Sequence, residues 1–169
     1  MAAGMADILE LVVRYVHIVS AILWIGGLGF SVMVLRSAIS RVGMPARKDT
    51  MVQLIPLSNR FIPRVAISTI VFGTLLYLMM GNFDPQILWG TTWGLVMLAA
   101  LILAVGLLIF GIGIVRRAAE QMLKHLKEED CTHGPEVAAL QMTSSRGQVI
   151  ALAWGFFILI LMVVATGGL

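Results

Sequence analysis

With 169 residues, 59% of them hydrophobic and 12% charged, and a mean hydropathy of +0.96, the chain has too little polar surface to coat a water-exposed globule. Its one cysteine, Cys131, excludes an internal disulfide framework. A net charge of +3 invites a nucleic-acid reading, but in so apolar a chain the placement of charge says more than its sum, and no nucleic-acid partner is expected.

A hydrocarbon core about 30 Å thick takes roughly 20 apolar residues in a helix. Four stretches have that length, at about 12–36, 61–80, 87–115 and 147–167, and none alternates in polarity as a spanning strand would. The expectation is an all-α, single-domain, integral membrane four-helix bundle sitting in a lipid bilayer. Asp7 and Glu10 precede the first stretch and no small-residue cleavage site ends it, so it reads as a permanent helix rather than a secretory leader. Ahead of the second, "MVQLIPLSNRFIPR" holds Pro56 and Pro63 and reads as an interfacial helix or a kinked lead-in. The third has Trp89 and Trp93 at one end and Arg116-Arg117 at the other, and its helical pattern runs on to Asp130 before an expected break at Gly134-Pro135. The fourth closes the chain.

Basic residues orient these spans. Arg36, Arg41, Arg47, Lys48, Arg60 and Arg64 lie between the first and second; Arg116, Arg117, Lys124, Lys127 and Arg146 lie between the third and fourth; the remaining regions hold only Arg14. The positive-inside rule then puts both termini and the Gly81–Gln86 turn outside, and the two longer loops inside. Arg60, Arg64 and Arg146 are candidates to gather around an anion, and the arginines of the first loop could meet anionic headgroups or simply anchor the topology.

Small residues mark close helix approach, because lipid offers little hydrophobic drive for helices to pair. Gly27 with Ser31, Gly90 with Gly94, Ala100 with Ala104, and the ridge Gly147, Ala151, Gly155 are the candidates.

An ionisable residue inside a membrane is a functional candidate by default. Asp7, Glu10, Arg14 and His17 recur at helical spacing and stack on one face, which continues through Ala21, Trp24 and Leu28. A polar stripe that ends in an apolar, aromatic groove suggests a site open to the outer side; snorkelling to the interface is the simpler alternative. Under the expected topology Tyr77, Met79, Met80, Trp89, Trp93, Met97, Met162 and Thr166 share that end of the bundle.

Two chemistries suit an imidazole among thioethers and aromatics. One is haem b, with His17 as an axial ligand and Arg14 near the propionates. The other is copper, with His17, Met79, Met80, Met97 and Met162 as soft donors. Methionine as plain packing filler is the competing explanation for the thioethers. No second histidine lies in a span, so a bis-histidine haem within one chain is not expected. Cys131-Thr-His133 lacks partners at metal-site spacing, and Gly106, Gly111 and Gly113 lie within a span, so they form no dinucleotide loop.

His17, Trp24 and Gly26-Gly27, in that spacing, resemble the first helix of the copper-resistance D (CopD-like) membrane proteins and, more distantly, the four-helix bacterial protoporphyrinogen oxidase and the membrane part of a cytochrome-linked urate oxidase. The likeness extends loosely through "PLSNRFIPRVAISTIVFGTLLYL", over roughly the first 80 residues. It implies a four-helix bundle with His17 as a haem or metal ligand. The oxidase-like members carry an arginine or proline soon after the small pair, where this chain has "FSVMVLR", so protoporphyrinogen chemistry is not implied.

Three readings follow. One is a CopD-like protein taking up or delivering copper from the outer face. The second is a haem-b redox protein exchanging electrons with a quinone, the only one that makes the chain an enzyme. The third is a non-catalytic subunit of a larger membrane complex or homo-oligomer.

Overall fold

The structure, a computed structural model, describes residues 2–127 and 134–167; Cys131 and His133 lie outside the described residues. Four long helical rods, each apolar and long enough to cross a membrane, make up almost all of it: Asp7–Ser40, Met44–Met80, Thr92–Lys127 and Gly134–Thr166. They pack as an antiparallel ring in chain order. The first rod lies along the second, the second against the third, the third along the fourth, and the fourth returns to the first. One end of the bundle carries the chain termini and the turn after Met80, and is called here the terminal end. The other, the loop end, carries the basic connections.

The first rod is α1 (Ala2–Phe30), a widened π segment Ser31–Leu35, in which the Arg36 N–H reaches back to the Ser31 carbonyl, and α2 (Arg36–Ser40). The second is a single helix, α3 (Met44–Met80), with Pro56 and Pro63 inside it. The proline-bearing stretch is therefore a lead-in continuous with the second span, not a separate interfacial helix. Membrane helices tolerate such missing donors.

The third span differs from the expected unbroken 87–115. A short helix α4 (Pro85–Gly90) ends before Thr91, and α5 (Thr92–Phe110) starts afresh. The Thr91 hydroxyl makes the cap by accepting from the Gly94 N–H at 3.0 Å, and the Tyr77 hydroxyl donates to the Leu88 carbonyl at 2.9 Å, tying the corner to the second rod. A second π segment, Gly111–Arg116, leads into α6 (Arg117–Lys127), which projects beyond the apolar stretch as expected. The last helix, α7 (Gly134–Thr166), begins where a break was expected, with Pro135 in its first turn.

Packing is driven by shape. Ala66, Ala100 and Ala151, from the second, third and fourth rods, are almost fully buried around Trp24 and Leu107. Outward faces carry exposed Ile22, Ile102, Ile109 and Val163, the inverse of a soluble protein and the pattern expected where lipid is the solvent. A Cβ on Gly147 would meet Val115 Cγ2 at 2.7 Å, and one on Gly155 would strike Ile25, so the fourth-rod ridge seats the third and first rods. Of the first-rod pair, a Cβ on Gly27 would lie 3.1 Å from Ile62 Cδ1, and one on Gly26 would meet open space. Gly90 meets nothing, and the tight side of Gly94 faces the Ile87 and Leu88 carbonyls of α4, so this GxxxG builds a corner rather than a rod-to-rod contact. Gly94→Ala will push a methyl into backbone that cannot move cheaply. The expected loss is roughly 1–3 kcal/mol, read as a lower melting temperature in detergent; an unchanged midpoint contradicts the packing.

Candidate cofactor cavity

Toward the terminal end the four rods diverge around a cavity of about 440 Å³. His17, on the first rod, is nine-tenths buried and borders it. Two features of the second rod hold its ring. Gly73 gives room: a Cβ there would lie 2.8 Å from His17 Cε1 and 3.0 Å from Nδ1, so only glycine lets the imidazole rest on the helix backbone. One turn earlier, the Thr69 carbonyl stands 2.9 Å from His17 Nδ1.

A carbonyl only accepts, so the hydrogen is assigned to Nδ1, which donates it. With the Nδ1 hydrogen directed at that carbonyl, Nε2 is the ring nitrogen that has no hydrogen bond among the described residues. Thr69 is fixed in turn, its hydroxyl donating to the Val65 carbonyl at 2.8 Å, and Ser20 and Ser68 meet at 2.9 Å to set the register of the two rods. An imidazole whose Nδ1 is tied to a backbone carbonyl is oriented as metal-ligating histidines are.

The rest of the wall is almost wholly apolar. Trp24 and Leu107 form its floor, Ala100, Ala104 and Gly155 widen it, and Met80, Met97 and Met162 each contribute to it. Among the described residues Arg14 is its one formally charged wall residue, held by Glu10 at 2.6 Å; both side chains are about 40% solvent-exposed, so the pair adds little stability. Tyr77 borders the space and stacks on Trp93 at 5.9 Å between ring centroids, Trp93 standing behind it, while Trp89 is exposed on α4.

His17, Arg14, Trp24, Met80, Met97 and Met162 therefore border one space, and Met79 does not. Adjacent residues on a helix point about 100° apart, so Met79 and Met80 cannot both face inward. Thr69 and Gly73 are the residues that sequence reasoning missed. The stretch "TIVFG" shows the glycine but not that its backbone and the Thr69 carbonyl meet His17. Arg60, Arg64 and Arg146 are exposed and border no common space. Among the described residues no three His, Cys, Asp or Glu side chains come together, so His17 is the lone nitrogen donor of the cavity.

Comparison with protein-family models, with curated proteins and with solved structures finds no match to this chain.

Proposed function

We propose that this chain is a membrane-embedded b-type haem protein of CopD-like character, in which His17 Nε2 would hold the iron. The observation that carries the reading is the held imidazole: Nδ1 is spent on the Thr69 carbonyl against the Gly73 backbone, and the other nitrogen is left beside a large apolar cavity. A flat apolar macrocycle with two anionic propionates fits that wall, which offers one nitrogen donor and one cation at its rim. When bound there the haem supplies a one-electron couple.

The chain's own residues do the rest. Thr69 orients the ring and raises the basicity of Nε2. Arg14, shared with Glu10, offsets propionate charge. Trp24 and Leu107 close the floor, which keeps the site dry and its dielectric low. The lopsided basic residues support an orientation with both termini and this cavity on the outer side of a cytoplasmic membrane.

Copper is the second reading, favoured by the three thioethers of Met80, Met97 and Met162 on the cavity of His17. Quantifying haem and copper in protein purified from membranes tests both. About one haem per chain supports the first. About one copper with no haem replaces it with the second. Neither group, in protein that travels with other chains, overturns both in favour of an accessory subunit.

A further inference from the structure

A second cavity, of about 380 Å³, opens within the loop end. It shares Trp24 and Leu107 with the first, so these two side chains form a partition between the two spaces. Its chemistry is different. Arg36, Arg47 and Arg116 border it together with Gln141, Ser144 and Gln148, and no acidic residue does among the described residues. Arg116 is engaged by Glu120 at 2.7 Å, whereas Arg36 and Arg47 have no ion pair among the described residues.

Ser144 is 94% buried on the fourth rod, where a hydroxyl ordinarily bonds back to a carbonyl one turn earlier. Here it has no hydrogen-bond partner among the described residues, and it borders this cavity. A hydroxyl open to a cavity and without a protein partner, beside two cations without an ion pair among the described residues, suits an anion. Both π segments, Ser31–Leu35 and Gly111–Arg116, border the same space, and such widened turns cluster at functional sites.

We propose that the loop-end cavity binds one anionic phospholipid, its phosphate held by Arg36, Arg47 and Ser144 and an acyl chain lying among Leu28, Ile62, Leu108 and Ile112. A free phosphate would satisfy the cations and leave the apolar depth, down to Trp24, unfilled. A lipid fills both parts, and the loop end is where headgroups of the surrounding bilayer lie. The assignment is independent of the haem reading.

Native mass spectrometry of protein taken from mixed phosphatidylglycerol and phosphatidylcholine bilayers tests it. Wild type should retain one phosphatidylglycerol in preference to phosphatidylcholine. Two arginines at a membrane surface are worth enough that R36Q/R47Q should reduce that preference roughly tenfold or more. S144V should reduce it by a smaller factor, and it decides the matter if the double variant does not fold. R60Q/R64Q removes the same charge from two arginines that do not line the cavity and should keep the lipid. Equal retention of the two lipids by wild type, an equal loss in R60Q/R64Q, or displacement by millimolar inorganic phosphate overturns the proposal.

Discussion

Replacing His17 by alanine will empty the terminal-end cavity of haem while leaving the bundle folded. The imidazole contributes one hydrogen bond between the first and second rods. Within a membrane such a bond is worth about 0.6 kcal/mol on average. The same rods remain joined by the Ser20–Ser68 contact and by Trp24, Leu28 and Ala66 in the core. The ligand, by contrast, loses its protein-supplied nitrogen donor. Disturbing a group that merely orients a ligand costs about ten- to a hundredfold in affinity, so removing the ligand itself will cost more. Haem per chain and the melting temperature of the protein stripped of haem should part company: the first falls to near zero, the second moves by a few degrees at most. A variant that keeps its haem would refute the assignment of His17.

Gly73→Val should produce nearly the same spectral phenotype with the histidine still present. A Cβ at 2.8 Å from Cε1 and 3.0 Å from Nδ1 leaves no room for the ring, and valine adds two methyl groups to it. The imidazole must swing off the second rod and give up the Thr69 carbonyl. Its tautomer is then no longer fixed, and Nε2 no longer has a defined direction. The expected loss of haem affinity is about ten- to a hundredfold, the size seen when outer-shell partners are removed. Gly26→Val, at a first-rod glycine with open space around it, is the matched control and should bind normally. Equal affinity in wild type and Gly73→Val would mean that the cradle does not position the ligand.

Much of the architecture was legible because it follows from cost. Burying charge in hydrocarbon is unfavourable, so runs free of Lys, Arg, Asp and Glu mark the four rods. Where the reading slipped, a local interaction decided the outcome. Thr91 capped a new helix inside what looked like one span, and continuous packing carried α3 through two prolines. The His17 face was visible at helical spacing, yet the second rod's share in holding the ring was not. A backbone carbonyl has no signature in sequence, and Gly73 looked like any other membrane glycine. The cationic cluster shows the same limit. Topology put eleven basic residues near one end, and only the rotation of each rod selected Arg36, Arg47 and Arg116 over Arg60, Arg64 and Arg146.

Whether a ring nitrogen in this cavity ligates haem is decided by chemical rescue. Protein carrying His17→Gly, prepared without haem, is titrated with haem in detergent while the Soret absorbance is followed, first alone and then with free imidazole. Saturation at one haem per chain is expected for wild type, no specific band for the variant, and return of the wild-type band when imidazole enters the space that the side chain left. An identical band for the variant without imidazole would show that the haem is ligated elsewhere and would contradict the account.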